Sequence, residues 1–195
     1  MKRRILFVLG ALLSATMLFT SCGNDDDEVS ICDPAVGKYT GSITMYALDF
    51  DGKMVSREDI FGKAPQLTAT AYVEKGSANN TMIINVGDKY QCSNLQAASN
   101  GFTFDIKTQT TADDATIIGF DVAELEGAYY NGLFLTSSKK LTFGVKIDVV
   151  DLDVDETIFN ALLDEEVDYV VFVYELTKYF SHEKVNYIKH LLFVL

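Results

Sequence analysis

Apolar and polar residues alternate along much of the chain between Tyr39 and Leu176, and this pattern restricts the fold more than any other feature of the sequence. The alternation is clearest over residues 141–149, where every odd position is apolar. A period of two places successive side chains on opposite faces of a strand, so that one face packs inward and the other meets water. The body of the chain is therefore predicted to be mainly antiparallel β-sheet.

Turn-forming residues divide this region into about eight or nine predicted strands, with tight turns at Gly52, Gly87-Asp88 and Asn100-Gly101. A closed up-and-down barrel and a two-sheet sandwich both fit this spacing. The barrel of about eight strands is favoured, because each strand closely follows the one before it and no long crossover is evident. The large side chains predicted to point inward are Phe102, Phe104, Phe120 and Phe143.

Two segments show helical periodicity instead. Residues 155–163 are predicted to form one short helix, with Asp155 as its N-cap and an apolar face of Ile158, Phe159, Leu162 and Leu163. Residues 179–195 form a C-terminal tail whose apolar residues fall on one helical face. This tail is predicted to be a packed or loosely attached helix, with a divergent extension as the alternative.

The first 21 residues have the composition of an export signal. Three basic residues (Lys2, Arg3 and Arg4) precede an apolar stretch that is short for a membrane span. The sequence Leu18-Phe19-Thr20-Ser21-Cys22 resembles the lipobox of bacterial lipoproteins. That resemblance implies cleavage before Cys22 and lipid attachment to this residue, which would tether the protein to a membrane.

An acidic run begins three residues after Cys22 and consists of Asp25, Asp26, Asp27 and Glu28. An acidic run alone is usually a solvated linker. In this position it resembles the export tag of surface lipoproteins of the Bacteroidetes. The expected localisation is therefore the outer membrane, facing outward, with residues 22–34 forming the lipidated cysteine and its linker.

The start and end of the β region support a more specific resemblance. Val36-Gly37-Lys38-Tyr39-Thr40-Gly41 opens it, and Val171-Phe172-Val173-Tyr174-Glu175-Leu176 closes it. Both segments resemble those of calycin-like, or lipocalin-like, lipoproteins of the Bacteroidetes, and the resemblance covers residues 35–178. It implies a calycin-like barrel, in which Tyr39 occupies the position of the tryptophan found in the first strand of lipocalins.

Two cysteines remain after Cys22, and their state is left open. In an oxidising compartment Cys32 and Cys92 could form a disulfide that joins the linker to the barrel, or they could stay as two thiols. Neither has histidine or acidic neighbours at the spacing of metal ligands, so no metal is expected there.

Charge and motifs narrow the classes of function. The chain has 16 basic and 28 acidic residues, and the leader contains three of the basic ones, so the remainder has a net charge of about −15. Nucleic acid is not an expected partner, because phosphate binding needs clustered lysine and arginine. Both histidines, His182 and His190, lie in the tail. Residues 151–155 resemble the start of a calcium loop, but Glu156 stands where such a loop requires glycine. Neither an enzyme nor a cofactor is therefore expected.

Two functions remain as expectations. The first is non-catalytic binding of a small apolar or amphipathic ligand inside a lipid-anchored barrel, since barrels of about eight strands are either filled or hold one small ligand. The second is an accessory lipoprotein that docks on another protein of the cell envelope. Tyr46, Tyr72, Tyr129 and Tyr130 could lie at a barrel mouth or on the outer face and stack on a ligand there, but packing in the core or at an edge is the favoured prediction for them.

Alanine at Asp25, Asp26, Asp27 and Glu28 is expected to keep the protein from the cell surface, because the acidic tag is lost. Protease added to whole cells should then degrade the unaltered protein and spare the variant. A control variant with alanine at Asp164, Glu165 and Glu166 loses a later acidic run and should remain accessible. Equal degradation of all three proteins would contradict surface export by this tag.

Overall fold

The computed structural model describes residues 30–55, 67–78, 80–112, 114–125, 127–152, 154 and 156–179. The strands are β1 (Gly37–Leu48), β2 (Met54–Val55), β3 (Leu67–Lys75), β4 (Met82–Val86), β5 (Asp88–Ala98), β6 (Gly101–Ile106), β7 (Gln109–Thr110), β8 (Thr116–Phe120), β9 (Ala123–Leu125), β10 (Ala128–Tyr130), β11 (Gly132–Leu135), β12 (Lys140–Asp148) and β13 (Tyr169–Lys178). The helical elements are two 3₁₀ turns, η1 (Asp33–Ala35) and η2 (Val149–Asp151), and one α-helix, α1 (Glu156–Asp164).

Eight of these strands close into an antiparallel barrel. Around the ring they follow the order β1, β3, β4, β5, β6, β11, β12 and β13, and β13 then pairs with β1. Each strand thus lies beside the next barrel strand along the chain, which is the up-and-down arrangement. The predicted mainly β fold with one short helix is confirmed, whereas the predicted tail helix lies outside the described residues.

Cross-strand registers show which side chains point into the barrel. Residues directly opposite each other in antiparallel strands lie on the same face of the sheet. One such row runs from Gly132 through Phe143 and Tyr174 to Ile43. Phe102, Phe104 and Phe143 are almost completely buried, which confirms their predicted inward orientation.

The inward prediction for Phe120 is wrong. The residue that points inward from β8 is Ile117, which is fully buried and pairs with Ile147. Phe120 has the opposite parity, pairs with Gly144 and is only partly buried. Residues 117 and 118 are both isoleucine, so hydrophobic alternation does not distinguish the two faces of this strand.

The wall beside β12 is divided between two partners and is completed by side-chain amides. β12 pairs with β11 through residues 140–143 and with β8 through residues 144–147. Asn131 fills the junction: its Oδ1 accepts a hydrogen bond from the Ile106 amide at 3.0 Å, and its Nδ2 donates to Asp121 at 2.9 Å. The Gln109 side chain similarly accepts from the Gln91 amide and donates to the Lys89 carbonyl. These amides take the place of peptide groups where no strand is present.

The η1 turn closes one end of the barrel, called the η1 end. Ala35 is fully buried, and its carbonyl accepts a hydrogen bond of 2.6 Å from the Tyr39 hydroxyl. Lys178 donates to the Pro34 carbonyl at 2.9 Å, and Lys75 forms an ion pair of 2.6 Å with Asp33. The turn is therefore bound to both the first and the last strand of the barrel.

Helix α1 packs against the opposite end, called the α1 end. Leu162 is fully buried there in a cluster with Ala47, Val149, Val167 and Val170. Ile158 and Phe159 pack on the same cluster, whereas Leu163 is 49% exposed, so its predicted place on the apolar face is wrong. The predicted N-cap, Asp155, lies outside the described residues.

Gly132→Ala is expected to lower the free energy of unfolding by about 2 kcal/mol, as overpacking of a core does. A Cβ atom at this position would lie 2.1 Å from Cζ of Phe104, whose ring is buried and cannot move away freely. Urea denaturation measures the change. Thr142→Ala is the control, because Thr142 lies on the outer face of the neighbouring strand, and it should cost about 0.5 kcal/mol or less. Equal losses in the two variants would contradict this account of the packing.

Candidate functional site in the barrel lumen

Three aromatic residues, Tyr90, Phe143 and Tyr174, form a layer across the bore of the barrel and are called the tyrosine layer. The rings of Phe143 and Tyr174 stack with centroids 4.4 Å apart and an interplanar angle of 6°. Tyr90 meets both rings edge-on, with centroid distances of 5.7 and 6.2 Å. Offset-stacked and edge-to-face arrangements are the favoured geometries of aromatic pairs, so the layer is a stable floor.

A hydrogen bond between two hydroxyl groups joins opposite walls through this layer. The hydroxyls of Tyr90 and Tyr174 lie 3.3 Å apart and are both buried. Tyr90 is on β5 and Tyr174 is on β13, and these strands are four steps apart in either direction around the ring. The contact therefore spans the full width of the barrel.

The interior is packed on the η1 side of the tyrosine layer. Tyr39, Ile84, Leu141 and Leu176 lie there among side chains that are almost completely buried. The rings of Phe102, Phe104 and Phe134 pack side by side in the same region. This half of the barrel is a hydrophobic core and is filled by its own side chains.

The interior differs on the other side of the layer. Several apolar residues point inward by register and yet remain partly exposed. The region that they line is called the α1-side lumen, and the residues are Ile43, Met45, Val86, Ile147 and Phe172. Partial exposure of these five side chains indicates that the interior is less completely packed around them, although Ala47, Val145 and Val170 on the same side are almost completely buried. The tyrosine layer itself is almost completely buried.

Helix α1 packs at this end on the cluster of Ala47 and Val170, which belong to β1 and β13. Met45 and Phe172 pack against the same cluster. The turn between β4 and β5 lies on the opposite wall and centres on Gly87, whose φ is +85°. Asp88 follows this turn and is exposed. The mouth of the lumen is thus bordered by α1 on one side and by Asp88 on the other.

Electrostatics keep the tyrosines of the layer protonated. Burial raises the pKa of Tyr90 well above its ordinary value, and the neighbouring Tyr174 and the carboxylate of Asp88 add to the rise. Burial likewise raises the pKa of Tyr174, with a smaller contribution from Asp88. The hydroxyls are neutral donors and acceptors at physiological pH, and no buried charged side chain accompanies them among the described residues.

The cysteines of the sequence prediction lie in the packed half of the barrel. Cys32 and Cys92 are free thiols in this structure, and both are buried in the main core cluster. The Sγ atom of Cys32 lies 3.9 Å from the Thr81 carbonyl, and burial raises the pKa of the Cys92 thiol. Neither thiol faces the α1-side lumen.

Some of the other predicted site residues are not among the residues that the structure describes. Cys22 and the run Asp25, Asp26, Asp27 and Glu28 do not belong to the described residues. The tyrosines that could lie at a mouth or on the outer face divide: Tyr72 and Tyr129 are 49% and 69% exposed, Tyr46 is half-buried, and Tyr130 is buried. The residues that form the floor of the lumen, Tyr90 and Tyr174, were not predicted as a site, although their inward positions follow from the alternation of β5 and β13.

Within the described ranges, no group of three or more histidine, cysteine or acidic side chains is arranged to hold a metal ion. No helix in that part of the chain has the length and apolar character needed to cross a membrane. An open surface depression of about 210 Å³ lies beside the β3–β4 turn, lined by Gly76, Ser77, Thr81 and Gln91 among others. None of its lining residues belongs to the α1-side lumen.

Comparison of the chain with protein-family models, with curated proteins and with solved structures gives no match. The candidate site therefore rests on the geometry of the barrel itself.

Stability is expected to fall as the pH rises above about 10, the ordinary pKa of tyrosine. Buried Tyr39, Tyr90 and Tyr174 have raised pKa values in the folded protein, whereas the unfolded chain releases these protons near pH 10. The unfolded state then binds fewer protons, so the stabilisation is complete below pH 10 and is lost above it. Urea denaturation at increasing pH should show this decline, and Tyr90→Phe should reduce its slope.

Tyr129→Phe serves as the control, because Tyr129 is 69% exposed and its substitution should leave that slope unchanged. Tyrosinate absorbance gives an independent measurement. Of the ten tyrosines, these three should ionise only when the protein unfolds. Ionisation of all ten before unfolding would contradict their protected position.

Proposed function

We propose that this protein is a lipid-anchored lipoprotein of the cell envelope whose barrel binds a small apolar or amphipathic ligand without catalysis. The observation that carries the proposal is the α1-side lumen, where apolar side chains point inward and remain accessible. Small-molecule sites are typically concave and mainly apolar, with a few polar groups that orient the ligand. The lumen has this composition, with Ile43, Met45 and Phe172 in its wall and two hydroxyls in its floor.

The division of the barrel supports a binding role over a purely structural one. A barrel of eight strands can be filled completely by side chains, as the η1 half is. The α1 half keeps accessible apolar surface, which is costly to expose to water unless a ligand or partner covers it. The tyrosine layer separates the halves, so a ligand can occupy one without disturbing the packing of the other.

The proposed absence of catalysis follows from the groups that line the lumen. Tyrosines with raised pKa values are poor nucleophiles and poor bases at neutral pH. The carboxylate of Asp88 borders the mouth, and the described cysteines, Cys32 and Cys92, are buried in the main core cluster. Hydrogen bonding and apolar contact are the interactions this surface offers to a bound molecule.

The proposed anchoring rests on the leader and on Cys22. The lipobox resemblance would place a lipid on Cys22, eight residues before Ser30, where the description of the structure begins. Ser30 hydrogen-bonds to Asp33 at 3.0 Å, so the chain enters the barrel at the η1 end. A lipid on Cys22 would hold this end of the barrel towards the membrane and the α1 end away from it.

Docking on another envelope protein is the second candidate function. It is favoured by two exposed apolar side chains four positions apart in the chain: Phe50, in the turn after β1, is 82% exposed, and Met54, in β2, is 62% exposed. Exposed aromatic and methionine side chains are enriched at the centres of protein interfaces. Both residues lie at the α1 end, which anchoring through Cys22 would present to other proteins.

Ile43→Trp is expected to abolish binding of a neutral apolar fluorophore such as N-phenyl-1-naphthylamine. Ile43 points inward beside Tyr174, and the indole would occupy the space above the tyrosine layer. Fluorescence titration of residues 23–195, which include every described strand, should show at least about tenfold weaker binding. Native mass spectrometry of the unaltered protein should also detect a copurified molecule.

Thr44→Trp is the matched control, because Thr44 is the next residue of β1 and points outward. It should leave the titration unchanged. Circular dichroism establishes that both variants are folded, and Met45→Trp replaces Ile43→Trp if the latter is not. Absence of fluorophore binding and of any copurified species in the unaltered protein would overturn the proposal, as would equal binding by a folded lumen variant.

A further inference from the structure

The hydroxyl pair of the tyrosine layer has one hydrogen without an acceptor in the described protein. Each hydroxyl group carries one hydrogen, and the contact of 3.3 Å between Tyr90 and Tyr174 uses only one of the two. The side chains of Tyr90 and Tyr174 are 3% and 6% exposed, so water has little access to the other hydrogen. A buried donor without a partner is unfavourable by about 1–3 kcal/mol. A ligand oxygen above the layer would accept this hydrogen.

No described cation lines the α1-side lumen. Lys178 points inward by register with Tyr39, but it lies on the η1 side of the tyrosine layer and donates to the Pro34 carbonyl. Lys146 belongs to the outer face, where its Nζ atom lies 4.5 Å above the ring of Tyr169. A ligand anion in the lumen would therefore find no opposite charge among the described residues.

The α1 end carries negative charge instead. Asp88 borders the lumen and acts electrostatically on both tyrosine hydroxyls. Other acidic residues at this end belong to the β1–β2 turn, to η2 and to the segment around α1; they are Asp49, Asp51, Asp151, Asp164, Glu165, Glu166 and Asp168. Lys53 and Lys89 are the described cations in the same turns. Among the described residues at this approach, acidic side chains thus outnumber basic ones, which disfavours the entry of anions.

We propose that the lumen selects neutral apolar molecules with one hydrogen-bonding oxygen, such as an alcohol, a ketone or an ester, and excludes carboxylates of the same size. This selectivity rests on the proposed binding function. The oxygen hydrogen-bonds to the Tyr90–Tyr174 pair, and the apolar body contacts Ile43, Ile147 and Phe172. A carboxylate would lose its hydration beside Asp88 without gaining a counter-ion, which is strongly unfavourable.

Three compounds of the same chain length test this selectivity: 1-decanol, decanoate and decane. Each competes with N-phenyl-1-naphthylamine for residues 23–195 at about pH 8, where the acid is ionised. Decanol should bind about fivefold more tightly than decane, which is the contribution of one hydrogen bond. Decanoate should bind at least about tenfold more weakly than decanol, because of the desolvation of its charge.

Two sets of variants assign the selectivity to its residues. The double variant Tyr90→Phe/Tyr174→Phe should lower the ratio of decanol affinity to decane affinity to about one, because it removes both hydroxyls and keeps the apolar rings. Asp88→Asn should raise the affinity for decanoate about threefold by removing the nearby negative charge. Glu74→Gln is the control, because Glu74 is exposed on the outer face of β3 and should change neither ratio.

The outcomes distinguish the selectivity from the binding function. Failure of the fluorophore and all three compounds to bind would overturn the proposed function and this inference with it. Binding of the fluorophore together with equal or tighter binding of decanoate would overturn only the selectivity. Unchanged preference for decanol in the double tyrosine variant would show that the hydroxyl pair does not hold the ligand oxygen. This result would also overturn the proposed selectivity.

Discussion

Pairing between β1 and β13 joins the two ends of the described chain and turns a meander of strands into a barrel. The register runs without interruption from Tyr39 opposite Lys178 to Leu48 opposite Tyr169. It requires a very close approach of backbones at Gly41, where a Cβ atom would lie 2.1 Å from the Glu175 carbonyl oxygen. Closure removes the exposed edges of the sheet and creates an inside. Every feature of the site depends on that inside, because the layer and the lumen are formed by side chains from opposite walls.

Much of this architecture follows from hydrophobic alternation. Strands such as β12 are predicted well because each of their faces has one character, and the turn at Gly87 is placed by its backbone freedom. β8 is predicted with the wrong face inward, since two adjacent isoleucines satisfy either choice. The role of Asn131 was missed for a different reason. A polar residue between two predicted strands indicates a turn or bulge, whereas here its side chain completes the wall by bonding to Ile106 and Asp121.

The candidate site was less predictable than the fold. Alternation places Tyr90 and Tyr174 inside, but it does not show that they lie on strands four steps apart or that their hydroxyls meet. Such a contact depends on strand order, shear and ring orientation together, and single-sequence patterns specify none of them. The accessible lumen is a property of volume: Met45 and Phe172 have the same character as the buried residues on the other side of the layer. The point along the barrel at which side chains no longer fill the interior is visible only in the closed structure.

If Cys22 carries a lipid, the two ends of the barrel lie in different surroundings. Eight peptide steps join Cys22 to Ser30 and can span at most about 29 Å, so the η1 end would stay near the membrane. The partly exposed residues of the lumen lie at the other end, where most of the described charged side chains are acidic. A ligand must then cross an aqueous layer or arrive from a partner, rather than pass directly from the bilayer. An anion would be repelled during this approach as well as inside, so the orientation of the barrel and the chemistry of the tyrosine layer favour the same neutral class of ligand.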